Sequence, residues 1–171
     1  FRRASRSGPS ERPLRMKILV LASYAGSLIA FRGELLRSMA SRGYEVVAAA
    51  PGPGDTVISP LADMGVRYAS IPLARAGLDP AEDVRTLLAL FRLFREERPD
   101  VLLAYTAKPV IYGLLAARAA RVPMRAAIIS GRGSALAGGA GLKRRLLATL
   151  TRFLYAVALR GAAVVFFQNP D

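Results

Sequence analysis

The fold of this chain is decided by residues 101–130, which read VLLAYTAKPVIYGLLAARAARVPMRAAIIS. Two apolar runs, 101–106 and 124–130, show no alternation of polar and apolar residues, which is typical of parallel strands that are covered on both faces. Between them, Pro109 opens an alanine-rich segment of helical length that reaches about Arg121. A strand, a helix and a second strand in this order predict a parallel pair joined by a helical crossover.

The same alternation continues on both sides of this unit. The other strand-like runs are 17–23, 44–50, 66–72 and 162–167, of which the last is predicted to be buried. The other helical segments are 28–42, with Phe31 on its predicted apolar side, 57–64, 79–98, with Asp79-Pro80 as its predicted start, and 142–160. Six strands separated by helices predict an α/β fold with a doubly wound, Rossmann-like parallel sheet. Such sheets bind ligands beyond the carboxyl ends of their strands, so the loops after the first, fourth and fifth strands are the candidate binding loops.

Composition limits the chemistry and the location. The 171 residues include no histidine and no cysteine, which excludes disulfide frameworks, thiolate zinc sites and catalysis by either residue within this chain. The longest uncharged run covers 14 residues, 18–31, and is short of the ~20 residues that a membrane-spanning helix needs. No signal peptide is recognisable, and a cytoplasmic location is predicted.

Positive charge is concentrated in the second half of the chain. The net charge is +13, and residues 101–171 carry ten basic groups against one acid. This asymmetry predicts an anionic partner, and the candidates are a nucleic acid, a phosphorylated ligand and lipid headgroups. An arginine-rich surface without a partner is the alternative.

The two ends differ from the middle of the chain. Residues 1–15 are rich in Arg, Ser and Pro without periodicity, and we predict a disordered basic leader there, followed by one domain over 16–171. The final residues Asn169-Pro170-Asp171 have the pattern of a helix start, with an N-cap, a proline at the first position and an acid in the first turn. This pattern predicts that the chain is truncated before a further domain.

The candidate binding loops carry residues suited to an anion. Gly26, after the first strand, lets a phosphate approach the N–H groups of a helix start, although a tight turn explains this glycine equally well. Lys108 follows the fourth strand, and the glycine-flanked Arg132 follows the fifth. Each cation alone is more typical of a solvated surface, but their shared position at one sheet edge favours an anionic ligand.

The last predicted helix has a basic side. Arg145, Arg152 and Arg160 fall together on it, with an apolar stripe beside them. Lys143 and Arg144 place positive charge at the helix start, where it opposes the helix dipole, so an external anion explains it better than helix stability does. This pattern predicts contact with an anionic membrane surface, and an ordinary sheet-covering helix is the alternative.

Five stretches, taken in order, resemble the N-terminal domain of the family 4 glycosyltransferases, which have the GT-B fold. They are SLIAFRGELLRSMASRGYEVVAAAP (27–51), ARAGLDP (74–80), KPVIYGLLAARAARVP (108–123), SGRGSA (130–135) and VFFQNPD (165–171). The resemblance is greatest to the enzymes that transfer sugars onto polyprenyl-diphosphate-linked acceptors. It covers nearly all of the chain beyond Arg15.

The resemblance implies a division of roles between two Rossmann-like domains. In this family the N-terminal domain binds the acceptor and docks on the membrane. The C-terminal domain binds the nucleotide-sugar and carries two glutamates in an E-x7-E pattern, which does not occur in this chain. The catalytic residues are therefore expected in that absent domain, and this chain alone is expected to have no transferase activity.

The resemblance also assigns site residues. Gly26 and Ser27 are expected to line the cleft near the donor diphosphate. The residues expected to contact the acceptor are Tyr24, Phe31, Arg32, Lys108, Pro109, Gly131, Arg132 and Gly133. Many members place a histidine after the fifth strand, where this chain has a glycine-rich loop, so the resemblance assigns no base to this domain.

The implied activity is a retaining transfer from a nucleotide-sugar, expected to be a UDP-sugar, to a lipid-linked acceptor in polysaccharide or glycoconjugate synthesis. The protein is expected to lie at the inner face of the plasma membrane. No metal or cofactor is expected, because helix N-termini and cations can stabilise the departing diphosphate. Nucleic acid is not an expected partner, since no reader motif is recognisable. The alternative is a self-standing, flavodoxin-like module that binds a phosphorylated metabolite.

Overall fold

A computed structural model of the chain describes residues 15–73, 79–129 and 142–168, which form six strands and six helices. The strands are β1 Lys17–Leu21, β2 Glu45–Pro51, β3 Val66–Ile71, β4 Val101–Tyr105, β5 Met124–Ile129 and β6 Val164–Phe167. The helices are α1 Ala25–Ala30, α2 Gly33–Ser41, α3 Ile58–Asp63, α4 Pro80–Glu97, α5 Ala107–Ala119 and α6 Leu142–Leu159. The predicted leader lies outside the described residues, apart from Arg15.

The six strands form one parallel sheet in the order β3-β2-β1-β4-β5-β6. From β1 the chain builds outward through β2 and β3, and then returns to place β4 on the other side of β1. The predicted doubly wound, Rossmann-like α/β fold is therefore confirmed. The strand order reverses between β1 and β4, which is where ligands of such sheets bind.

The helices cover the two faces of the sheet unequally. Right-handed crossovers put α4, α5 and α6 on one face and α1, α2 and α3 on the other. On the second face, an apolar groove of about 560 Å³ runs over β4, β5 and β6, and Leu103, Ala126 and Phe166 are among its lining residues. Parallel sheets are normally covered on both faces, so this groove is an apolar surface that the described elements leave open.

Two residues, Asp79 and Gly113, position the helices of the first face. The Asp79 carboxylate accepts hydrogen bonds from the N–H groups of Ala81 (2.9 Å) and Glu82 (3.4 Å), so it caps α4. On α5, a Cβ at Gly113 would come within 2.6 Å of Leu21 Cδ2 in the core. Gly113 therefore allows α5 to approach the sheet beside the β1–β4 boundary.

Two local predictions were wrong. The helix predicted over 28–42 is divided at Phe31 and Arg32 into α1 and α2, and Gly33, a residue of low helix propensity, follows this break. Phe31, expected on the apolar side, is 74% exposed. β6, predicted to be buried, ends the strand order and leaves Phe167 72% exposed, since β5 is its sole neighbour within the described sheet.

An ion-pair network ties together the amino ends of the strands. The Lys17 ammonium lies 2.9 Å from Glu45 and 3.2 Å from Glu97, and the Arg67 guanidinium lies 3.2 Å and 2.7 Å from the same two carboxylates. The hydrogen bond from Arg67 lowers the pKa of Glu97 below its ordinary value, and the hydrogen bond from Lys17 lowers that of Glu45. Both carboxylates are thus held ionised in the folded chain.

This network makes the stability depend on pH. Because the folded pKa values are lowered, the unfolded chain binds more protons in acid, and the stabilisation is complete above about pH 4.5 and is lost as the pH falls further. Glu97→Gln is expected to cost about 1–2 kcal/mol at pH 7 and to flatten this dependence. Urea unfolding at pH 7 and pH 3.5 measures both effects. Glu34→Gln, at a 92% exposed side chain paired with Arg37, is the control; equal pH profiles for the two variants would contradict the assignment.

Candidate functional site

The loops after β1 and β4 lie side by side where the strand order reverses. The first loop leads from β1 into α1, whose N-cap is Tyr24. The second is a single residue, Thr106, between the end of β4 and the start of α5. Two helix N-termini therefore point toward the same edge of the sheet, and this arrangement favours an anionic ligand.

A buried hydrogen bond joins the two loops. Ser27 on α1 is 8% exposed, and its Oγ donates to the Tyr24 carbonyl at 2.6 Å. The same Oγ lies 2.9 Å from the hydroxyl of Tyr105, at the end of β4. Since the Ser27 proton is used on Tyr24, the Tyr105 hydroxyl is the donor in this second bond. Burial raises the pKa of Tyr105, which keeps the phenol protonated as the bond requires.

Arg32 reaches this pair of residues from the break between α1 and α2. Its guanidinium carbon lies 4.9 Å from the centre of the Tyr105 ring, a cation–π contact. One terminal nitrogen donates to the Phe31 carbonyl at 3.1 Å and the other to Gln168 Oε1 at 2.9 Å. The Nε atom is buried and has no hydrogen-bond partner among the described residues. Arg32 thus holds a positive charge and a spare donor at the switch point.

Thr106 is a strained residue at the same place. Its backbone angles, φ 71° and ψ 158°, lie in a region that glycine adopts and β-branched residues avoid. Its hydroxyl is buried and has no partner among the described residues. A strained backbone and an unsatisfied buried hydroxyl at one residue both lower the stability of the fold. Such features concentrate at ligand-binding sites.

Lys108 has a partner of its own. Its ammonium forms an ion pair with Asp83 of α4 at 3.3 Å, with side-chain exposures of 15% and 16%, and lies 5.9 Å from the centre of the Tyr112 ring. Burial and the nearby Asp83 carboxylate raise the pKa of Tyr112. The predicted contact of Lys108 with an acceptor stays a prediction, and the structure shows a charge that is already compensated. Pro109 beside it is buried in α5.

Two aromatic side chains at the two ends of α1 are exposed. Tyr24 is 50% exposed, and its ring lies over Gly26, where an added Cβ would come within 2.7 Å of the ring. Gly26 therefore provides room for Tyr24, and its expected role beside a diphosphate stays a prediction. Phe31, at the other end of α1, is 74% exposed.

The expected acceptor loop Gly131, Arg132 and Gly133 lies outside the described residues. On α6, the side chains of Arg145 and Arg152 are exposed, as is that of Arg160 just after the helix. Leu150 and Phe153, beside them, are 47% and 63% exposed. Lys143 and Arg144 belong to α6, but their side chains lie outside the described ones. Within the described ranges, no helix is both long and apolar enough to cross a bilayer.

A family model described as a glycosyl transferase 4-like domain matches residues 29–171, which is most of the chain. The chain belongs to this family. A relative from Campylobacter jejuni, N,N'-diacetylbacillosaminyl-diphospho-undecaprenol alpha-1,3-N-acetylgalactosaminyltransferase, is 26% identical over 156 residues. The match takes in 91% of this chain but spans 41% of the relative's length. The expected resemblance to polyprenyl-diphosphate-linked sugar transferases is thereby confirmed.

Solved structures share the fold of this glycosyl transferase 4-like domain. MurG of Acinetobacter baumannii has a TM-score of 0.62 at 17% identity, covering 91% of this chain and 42% of its own. A glycosyltransferase of Rickettsia africae has a TM-score of 0.58 at 12% identity, covering 90% and 37%. A putative UDP-N-acetylglucosamine 2-epimerase of Listeria monocytogenes has a TM-score of 0.59 at 14% identity, covering 90% of this chain and 39% of its own. The fold is therefore one half of a GT-B-type architecture, and it is shared with enzymes that are not transferases.

Proposed function

We propose that this domain binds the acceptor of a retaining glycosyltransferase that moves a sugar from a nucleotide-sugar to a polyprenyl-diphosphate-linked acceptor. The Campylobacter relative, by its name, acts on a diphospho-undecaprenol-linked sugar. The nucleotide-sugar, expected to be a UDP-sugar, is bound in the proposal mainly by a second domain. The whole protein works at the inner face of the plasma membrane.

The position of Arg32 and its unpartnered Nε are the main support for this proposal. It places a cation and a buried, unpartnered Nε at the switch point, where helix N-termini also favour negative charge. A diphosphate satisfies the guanidinium donors with short, charge-assisted hydrogen bonds. The unpartnered Thr106 hydroxyl on the neighbouring loop supplies a further donor to the same anion.

The role of this domain in transfer is then one of positioning. The acceptor diphosphate is fixed at Arg32, and the exposed rings of Tyr24 and Phe31 provide apolar surface for a sugar face. Holding the sugar hydroxyl toward the anomeric carbon of the donor lowers the entropic part of the barrier. In this arrangement the described part of the chain orients the acceptor, and the groups that act on the donor come from the second domain.

The exposed face of α6 is proposed to hold the domain at the membrane. Leu150 and Phe153 offer apolar side chains for insertion between headgroups, and Arg145, Arg152 and Arg160 lie beside them for anionic lipid phosphates. An extended lipid-linked acceptor stays in the bilayer, so an enzyme held at the surface meets it without extracting it.

Transfer assays on the full-length protein test the proposed function. Undecaprenyl-diphosphate-linked sugar and a panel of UDP-sugars are expected to give one added sugar by mass spectrometry, with the donor's anomeric configuration retained by NMR. The 171-residue chain alone is expected to bind the acceptor without turnover. Turnover by this chain alone, or equal transfer to a soluble acceptor that lacks the lipid diphosphate, would refute the proposal.

A further inference from the structure

A second pocket lies at the opposite edge of the sheet from the switch point. It has a volume of about 300 Å³ and sits between the C-terminal ends of α4 and α5, beside the amino ends of β4 and β5. Phe94, Pro99 and Val122 form its buried apolar part. The proposed acceptor site, at the carboxyl ends of the strands, does not involve this edge.

Three arginines line this pocket. Arg95, Arg98 and Arg121 are exposed, and none of them has a carboxylate partner within the described ranges. Asp100 also lines the pocket, and its Oδ2 accepts a hydrogen bond of 2.7 Å from the Lys17 N–H. Glu96 is also exposed nearby on α4. The three arginines therefore outnumber the two acidic residues, Asp100 and Glu96, around this pocket.

The backbone at two of these arginines is unusual. Arg98 has φ 48° and Arg121 has φ 61°, so both adopt the left-handed conformation that glycine normally supplies after a helix. A helix C-terminus attracts cations, but Arg95 and Arg118 already lie in the last turns of α4 and α5. Helix electrostatics therefore does not account for arginine at the two left-handed positions, where glycine would be less strained.

We propose that this pocket binds a phosphate group through Arg95, Arg98 and Arg121. Planar guanidinium groups match the geometry of phosphate oxygens, and a bound phosphate relieves the repulsion among three neighbouring cations. A soluble phosphate and the phosphate of a lipid headgroup offer the same oxygens, so the chemistry is shared by these two sources. The site is separate from the acceptor site and does not depend on it.

The double variant Arg98→Gly/Arg121→Gly tests the site without endangering the fold, because glycine accepts positive φ at both positions. NMR titration of the full chain with inorganic phosphate at constant ionic strength follows the arginine Nε–Hε signals. Saturable chemical-shift changes are expected in the wild type, and the dissociation constant for phosphate is expected to rise at least tenfold in the double variant. The midpoint of thermal unfolding of the double variant is expected to be unchanged or higher. Arg42→Gln/Arg85→Gln, at two exposed arginines outside the pocket, is the control and should change the constant less than twofold.

Vesicle flotation distinguishes the two sources of phosphate. If the ligand is a lipid headgroup, the double variant floats less than the wild type with phosphatidylcholine/phosphatidylglycerol vesicles, and inorganic phosphate competes. If the ligand is a soluble phosphate, the two proteins float equally while the wild type alone shows saturable shifts. Equal flotation together with no saturable phosphate response, or a response that the double variant retains in full, would overturn the proposed site. Neither result bears on sugar transfer.

Discussion

Replacing Arg32 with alanine is expected to lower kcat/KM for the lipid-linked acceptor by about 30- to 150-fold in the full-length protein. This range corresponds to about 2–3 kcal/mol, which is typical of removing a hydrogen-bonding partner from a charged group. The expected change lies mainly in KM for the acceptor, since the proposed role of Arg32 is to bind the diphosphate before transfer as well as during it. Steady-state kinetics with acceptor and donor varied separately measure it.

Two further variants separate binding from folding in this experiment. Arg37→Ala removes an arginine that lies five residues away on α2 and pairs with Glu34 at the exposed surface, and it is expected to leave the acceptor KM within twofold. Arg32→Lys keeps the charge but loses the planar fork, so an intermediate KM is expected. Because Arg32 stacks on Tyr105, thermal unfolding of each variant is compared as well. An unchanged acceptor KM in a folded Arg32→Ala protein would contradict the proposed contact.

The architecture was predictable because its signals are local. Each apolar run without alternation became a parallel strand, and Asp79-Pro80 marked the start of α4 within one residue. The strand order was not predicted, although right-handed crossovers leave few arrangements for six strands separated by helices. The boundary between α1 and α2 was missed, since one glycine within an apolar, helix-like pattern does not reveal whether the helix continues.

The partners within the candidate site were not predictable from the sequence. Ser27 and Tyr105 are separated by 78 positions, and Lys108 and Asp83 by 25, so their contacts depend on tertiary packing. Tyr105 and Asp83 were therefore not identified as site residues. Tyr105 gave one weak signal, because it is a hydroxyl-bearing residue at the end of an otherwise aliphatic strand.

Thr106 was missed for a different reason. Positive φ is anticipated at glycine or asparagine, and a threonine gives no such indication. The strain is imposed by the connection, since a single residue must lead from β4 into α5. The correct loop was predicted from the sequence, because Thr106 directly precedes Ala107-Lys108-Pro109 at the start of the helix. The strained backbone conformation of Thr106 is visible only in the structure.

Reversing the charge of α6 is expected to abolish membrane binding. Each basic residue near an anionic surface contributes about 1 kcal/mol, so changing Arg145, Arg152 and Arg160 to glutamate removes about 3 kcal/mol of attraction and adds repulsion. Binding of the chain to vesicles that contain phosphatidylglycerol should therefore fall at least a hundredfold in flotation or sedimentation assays. The effect should shrink as salt rises, because screening weakens the attraction in the wild type.

A charge reversal at three other arginines shows whether membrane binding depends on the position of the arginines on α6 or only on the net charge of the chain. Arg42, Arg85 and Arg92 are also exposed and lie outside α6, on α4 or just after α2. Changing these three to glutamate alters the net charge by the same amount. If α6 is the membrane-binding face, this control retains most of its flotation. Phe153→Ser should weaken flotation at every salt concentration, because its 63% exposed ring contributes through apolar insertion, which salt does not screen. Equal losses in the two charge reversals, with no effect of Phe153→Ser, would mean that general electrostatic attraction and not α6 brings the domain to the bilayer.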